Sequence, residues 1–209
     1  MKYIRNIFVL VMLLWSSSVF ADSPITSTYF ADVYKFEKIV EKAITANGKI
    51  THEIMDYLAN ETNPVEVKVA AINALSWKTD NYETFLNYLK YRYSTTSEIT
   101  LLAKLDASTL ISLAYIKAMG NYFDVEDAFV IAQNAILKES NSLCINMITA
   151  LIYAQMVMDY NFCSVFQVCD MVLKDGNLTK DLHSKAIEQI MEYINIYSDD
   201  CDEVNKTSK

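Results

Sequence analysis

Turn-forming residues are scarce in this chain. Among its 209 residues, glycine occurs only at Gly48, Gly120 and Gly176, and proline only at Pro24 and Pro64. An all-β domain needs many more such residues at its turns, so this composition predicts an all-α fold. The same scarcity excludes the phosphate-binding loops of nucleotide-binding proteins, because each requires several glycines within a few residues.

An Asn-aromatic dipeptide recurs along the chain at intervals of forty residues. An alanine seven positions before it recurs with it, and neighbouring apolar positions also match. The dipeptides and alanines are Asn81-Tyr82, Asn121-Tyr122 and Asn161-Phe162, with Ala74, Ala114 and Ala154. Recurrence of a dipeptide together with several apolar positions indicates a structural repeat of about forty residues.

Within each unit the apolar residues have helical spacing. Tyr82, Phe85, Leu86, Leu89 and Tyr93 recur at intervals of three and four residues, so they share one stripe of a helix. Ten helices are predicted near residues 32–46, 50–59, 64–78, 81–93, 97–104, 106–119, 124–138, 142–158, 162–174 and 179–197. Short links and a forty-residue period predict antiparallel helical hairpins stacked into a short solenoid. An irregular all-α bundle is the alternative.

Residues typical of helix N-termini support two of the predicted helices, and the apolar surface of another indicates its position. Asn63, Pro64 and Glu66 form a helix-start pattern, and Thr179 precedes the last predicted helix. The helix at 162–174 is apolar on most sides, so we expect it at the centre of the stack.

Residues 63–77, with the sequence NPVEVKVAAINALSW, resemble one helix of a HEAT repeat. The matching features are an Asn-Pro start, a Val-basic pair, a double alanine and an Ala-Leu pair, at Asn63-Pro64, Val67-Lys68, Ala70-Ala71 and Ala74-Leu75. The resemblance implies an armadillo/HEAT-type α-helical repeat, whose stacked hairpins present an extended concave surface for binding. The later units keep the apolar positions but lack the proline and the basic residue.

The chain begins like a secretory signal peptide. Lys2 and Arg5 precede an apolar run at 7–15, and small residues end at Ala21. We expect a signal peptide at 1–21, a single α-helical domain at 22–198 and an acidic, polar tail at 199–209. The apolar run is shorter than the roughly 20 residues of a membrane-spanning helix, and no second one follows. We therefore expect a periplasmic or secreted bacterial protein without an integral membrane segment after cleavage.

Acidic residues dominate the charge. Cleavage after Ala21 leaves sixteen Lys and Arg against twenty-six Asp and Glu. Nucleic-acid binding depends on a basic surface, so we expect no nucleic-acid partner. A basic protein partner suits this charge better.

Four cysteines lie in the second half of the chain, where an exported protein can oxidise them. If the last three predicted helices, at 142–158, 162–174 and 179–197, each run antiparallel to the one before, the start of the helix at 162–174 lies near the end of the helix at 179–197. We therefore expect a disulfide between Cys163 and Cys201. Cys144 and Cys169 would lie about 10 Å apart along the helix axes, so a second bridge and two buried thiols both remain open.

We find no catalytic motif. The chain lacks Gly-x-Ser-x-Gly, and His52-Glu53 lacks the second histidine of a zinc-protease helix. The other histidine is His183, and no two cysteines have zinc-knuckle spacing. We therefore expect neither an enzyme nor a metal or cofactor site.

Tyr88, Tyr91 and Arg92 lie off the apolar stripe of the helix at 81–93. Because Tyr and Arg are favoured interface anchors, these three are our candidates for a protein-binding surface; packing against the next hairpin is the alternative. The sequence thus predicts an exported, non-enzymatic helical-repeat protein that binds another protein. A periplasmic immunity or inhibitor protein that neutralises a toxic enzyme, and a hydrolase with an unrecognised site, are the alternative functions.

Overall fold

The fold is all-α, as predicted. A computed structural model describes residues 23–77 and 81–201, so the expected signal peptide and most of the expected tail lie outside the described residues. Within those ranges, β pairing is limited to one isolated bridge between Ser142 and Thr179. The α-helices are α1 (Lys38–Thr45), α2 (His52–Leu58), α3 (Val65–Leu75), α4 (Asn81–Arg92), α5 (Glu98–Lys104), α6 (Ala107–Gly120), α7 (Glu126–Lys138), α8 (Leu143–Val157), α9 (Phe162–Lys174) and α10 (Ser184–Ile194). None of these helices is both long and apolar enough to cross a lipid bilayer.

Helices α3, α6 and α8 form an inner layer in which each contacts the other two. Burial is most extensive in α6, where eleven of fourteen residues are buried. Two side-chain contacts show that α3 and α6 run parallel: Lys68 meets Ser108 near their starts, and Asn73 meets Tyr115 further along. The recurring alanines of the sequence lie on these three helices, where small side chains allow close approach.

Helices α4, α7 and α9 form an outer layer. Helix α4 packs on α6, α7 packs on both α6 and α8, and α9 packs on α8. The outer helices run antiparallel to the inner ones: Tyr82 at the start of α4 lies against Lys117 near the end of α6. Likewise Lys138, at the end of α7, donates to the carbonyls of Ala103 and Leu105 just before α6 begins. The molecule is therefore a short, solenoid-like stack of antiparallel helices.

Residues 23–34 pack across the helices and close the stack. Phe30 is fully buried, and its backbone N–H donates to the Asn73 side chain of α3 at 2.8 Å. The Tyr34 hydroxyl donates to Glu66 at 2.7 Å and accepts from the backbone N–H of His183 at 3.0 Å. The first described segment thus touches the beginning of the last helix, and the stack is not open at its ends.

Two predicted helices differ from the structure by more than the few residues by which other helix ends differ. The helix expected at 32–46 is divided into a 3-10 helix, Ala31–Tyr34, and α1, because Tyr34 turns into the core. The helix expected at 179–197 begins only at Ser184. Thr179 is instead fixed to the chain before α8, since its N–H donates to the Asn141 carbonyl at 2.6 Å.

The predicted central position of the helix at 162–174 is wrong. In α9 only Cys163, Val165 and Cys169 are buried, and Met171 is 70% exposed. The helix is an outer one that covers α8 with a single face. Its high content of apolar residues misled the prediction because Phe162 and Met171 are exposed and four others, Phe166, Val168, Val172 and Leu173, are only partly buried.

The structure joins Cys163 to Cys201, as predicted from the antiparallel order of α9 and α10. Cys144 and Cys169 are free and buried. Burial raises the pKa of Cys169 to about 12 and also raises the pKa of Cys144. Both side chains are therefore protonated thiols at neutral pH, with little nucleophilic character.

Candidate protein-binding surface

Two of the three candidate residues are joined to α2. The Tyr88 hydroxyl donates to an Asp56 carboxylate oxygen, and Arg92 donates to that hydroxyl at 3.0 Å. Arg92 Nη1 also lies 3.9 Å from Asp56 Oδ1, while His52 Nδ1 lies 2.9 Å from Asp56 Oδ2. We call His52, Asp56, Tyr88 and Arg92 the α2–α4 cluster. It links two helices through polar groups at the surface.

Helical spacing brings together the two cluster residues on each helix. His52 and Asp56 are four residues apart on α2, and Tyr88 and Arg92 are four apart on α4, so each pair shares one helix face. The centre of the Tyr88 ring lies 6.3 Å from the centre of the stacked ring of buried Phe85. Packing therefore supports Tyr88 from beneath.

The cluster changes the acidity of its own members. The hydrogen bond from Tyr88 lowers the pKa of Asp56, and the charges of His52 and Arg92 act in the same direction. Burial and the bond to Asp56 raise the pKa of Tyr88. At neutral pH the cluster accordingly combines a carboxylate with a protonated phenol.

Tyr91 lies apart from the cluster. It is 87% exposed and lines an open groove of about 850 Å³ along α4, with Lys90 and residues 94–96. A second groove, of about 620 Å³, adjoins the cluster at Asp56 and is lined by Phe36 and Tyr57. Phe36 is itself 71% exposed. Aromatic side chains therefore lie on both sides of the α2–α4 cluster.

Sequence reasoning missed Asp56, His52, Phe36 and Tyr57 as parts of this surface. The four-residue spacing of His52 and Asp56 predicts that they are neighbours on one helix face. Nothing in the sequence shows that α2 lies beside α4, which is a tertiary contact.

A separate polar network fastens the inner helices α3 and α6 together. Lys68 is fully buried, and its ammonium donates to the Ser108 hydroxyl at 2.6 Å; Ser108 donates in turn to Asp106 at 2.6 Å. Asp106 is the N-cap of α6 and also accepts from Thr109 N–H at 2.9 Å. Burial lowers the pKa of Lys68 to about 8, although Asp106 and Glu61 oppose this shift. Because the Ser108 proton is directed to the carboxylate of a helix cap, we interpret the network as structural.

In residues 23–77 and 81–201, no group of three His, Cys, Asp or Glu side chains is arranged to hold a metal ion. Comparisons of the chain with protein-family models, with curated proteins and with solved structures found no match. The functional argument therefore depends on the geometry of the chain's own side chains.

Proposed function

We propose that this chain is an exported, non-enzymatic helical-repeat protein that binds another protein through the surface around the α2–α4 cluster. The observation that carries the proposal is Tyr91: a large aromatic side chain, 87% exposed, beside side chains already held in place. Tyr and Arg are favoured interface anchors, and the hydrogen bond between Tyr88 and Arg92 reduces the side-chain entropy that these two residues would lose on binding. The HEAT resemblance of residues 63–77 supports the same role.

The surroundings of three potential nucleophiles support a function without catalysis. The thiols of Cys144 and Cys169 are enclosed and protonated, and the hydroxyl of Ser108 is engaged by a helix-capping carboxylate. A nucleophile needs access and an adjacent base. The two thiols lack access. The carboxylate beside Ser108 is a weak base because, although burial opposes them, hydrogen bonds from Ser108 and Thr109 lower the pKa of Asp106.

Binding should depend on Tyr91. The mature chain, immobilised as bait for an extract of the native cell envelope, should retain a partner that Tyr91→Ala retains about tenfold less well. The double variant with Tyr88→Ala and Tyr91→Ala should abolish retention, because it also removes the Tyr88 hydroxyl to which Arg92 donates a hydrogen bond. Leu137→Ala is the matched control, since Leu137 is 82% exposed on α7.

Circular dichroism should show that each variant keeps the helical fold, so that any loss reports binding. Equal retention by Tyr91→Ala and the unchanged chain would remove this surface from consideration.

A further inference from the structure

The parallel inner helices α6 and α8 end side by side, and the turns after them enclose a groove of about 260 Å³. The turn after α6 contributes Tyr122 and Phe123, and the turn after α8 contributes Asp159 and Tyr160. We call this the α6–α8 groove. It lies at the end of the stack where α4 begins, whereas Tyr91 and Arg92 lie where α4 ends.

Exposed aromatic rings border the α6–α8 groove. Phe123 is 79% exposed and Tyr160 is 89% exposed, so neither side chain contributes much to the core. The Tyr122 and Phe123 rings contact each other with centroids 4.3 Å apart. Phe123 and Tyr160 therefore each leave most of a ring exposed to solvent beside the groove.

The charge around the groove is negative. Glu126 and Asp159 line it, and Asp124 and Asp127 line an adjoining groove of about 380 Å³ on the other side of the same turn. The one basic side chain among the described residues that line either groove is Lys117. Its ammonium lies 3.6 Å from Asp127 and 4.3 Å from the centre of the Tyr82 ring, so it is already engaged. The C-terminal ends of α6 and α8 and the N-terminal ends of α7 and α9 meet at this end of the stack, so their helix dipoles oppose one another and the carboxylates set the sign of the charge.

We infer that the α6–α8 groove binds an arginine side chain from a basic segment of a protein partner. Aromatic faces and carboxylates together match the guanidinium group, which stacks on rings and pairs with carboxylates through its planar fork. The groove is smaller than the roughly 300 Å³ at which small-molecule pockets begin, and this favours a single side chain. The inference is independent of binding at the α2–α4 cluster, because the two surfaces share no residue.

The test uses the whole mature chain and a tetra-arginine peptide with blocked ends, followed by NMR. Amide signals of residues 121–127 and 155–161 should shift on titration. Phe123→Ala and Tyr160→Ala should each weaken binding by about three- to tenfold, because each removes a ring face while the net charge stays constant. Leu137→Ala is the control and should leave the affinity unchanged, since Leu137 is 82% exposed near the end of α7, whereas the groove lies where α7 begins.

A tetra-lysine peptide should bind more weakly than tetra-arginine, because an ammonium is more strongly hydrated and lacks the planar fork. Shifts spread over the acidic surface, or equal affinity of the Tyr160→Ala and unchanged chains, would show non-specific attraction and overturn the inference.

Ser23 donates to Gln155, which lines the α6–α8 groove, so the N-terminal segment of the described chain lies beside this groove. A groove that fails to bind the peptide because the chain's own amino group occupies it would overturn the inference as well.

Discussion

The side chain of Asn73 holds the N-terminal segment by hydrogen bonds to the backbone of that segment. The side-chain oxygen accepts from the N–H groups of Phe30 and Ala31 at 2.8 and 3.0 Å. The side-chain nitrogen donates to the Thr28 carbonyl and to the Tyr115 hydroxyl, each at 3.0 Å. All four hydrogen-bonding positions of the amide are therefore satisfied inside the core. An apolar residue of similar size would leave buried backbone groups without partners, which is costly.

Replacing Lys68 by methionine should change how stability depends on pH. Burial lowers the pKa of Lys68 to about 8 from its ordinary 10.5. Between these values the unfolded chain binds a proton that the folded chain does not, so this group makes the free energy of unfolding rise with pH. From pH 8 to pH 10 the unchanged chain should gain about 2 kcal/mol relative to Lys68→Met in urea unfolding.

The comparison between the two proteins cancels the titration of their tyrosines and cysteines, because these groups are the same in both. Below about pH 8 the difference should level off, since Lys68 is then protonated in both the folded and the unfolded chain. Lys49→Met, at an exposed lysine, is the control for the loss of one positive charge. A Lys68→Met stability curve that runs parallel to that of the unchanged chain between pH 8 and pH 10 would contradict the lowered pKa of Lys68.

Helices with a clear apolar stripe could be predicted well. The pattern predicted helices at 81–93 and 106–119, and the structure has α4 at Asn81–Arg92 and α6 at Ala107–Gly120. The start of α10 could not be predicted, because tertiary contacts engage the residues before it. Asp181, inside the predicted helix, instead accepts from Cys144 N–H at 2.9 Å at the start of α8. Local start signals cannot reveal such a partner.

The recurring asparagines show what a sequence repeat leaves undetermined. Asn81 bonds to the backbone of Ile50 and Gly48, while Asn161 caps α9 by accepting from Ser164 N–H at 3.1 Å. The same residue type thus serves different contacts in different units. Tyr88 and Arg92 could be predicted to lie off the buried stripe, but their bonds to α2 depend on how the helices pack.

Breaking the bond between Cys163 and Cys201 should detach the end of the chain from α9. The bond spans 38 residues of sequence, and a loop of that length contributes about 3–4 kcal/mol by restricting the unfolded chain. Urea unfolding of the variant with Cys163→Ser and Cys201→Ser should show a loss of this size. A reductant should destabilise the unchanged chain by the same amount and leave the variant unaffected.

Thiol titration supplies an independent check. The unchanged chain, unfolded without reductant, should expose the two thiols of Cys144 and Cys169, which are free in the structure. Four reactive thiols in that experiment would contradict the bond.

The closed stack was not predictable from the repeat. Open helical arrays have contacts only between neighbouring units, so their ends unfold more readily than their centres. Here residues 23–34 connect α3 to the start of α10, which lies at the other end of the described chain. Neither helical periodicity nor the HEAT resemblance contains information about this segment, because its contacts join positions far apart in sequence. We expect the molecule to unfold as one cooperative unit.

Tyr34→Phe tests this closure at the scale of the whole molecule. The change removes a hydroxyl that bonds to Glu66 at 2.7 Å and to the His183 N–H at 3.0 Å, and should cost about 1 kcal/mol. If α3 and α10 open together, their slowest amides should both exchange with solvent about fivefold faster in native-state hydrogen exchange. Tyr29→Phe makes the same chemical change at a 44% exposed position and should leave both rates unchanged. Faster exchange confined to α10 would show instead that the end of the stack opens alone, because the segment would then not couple it to α3.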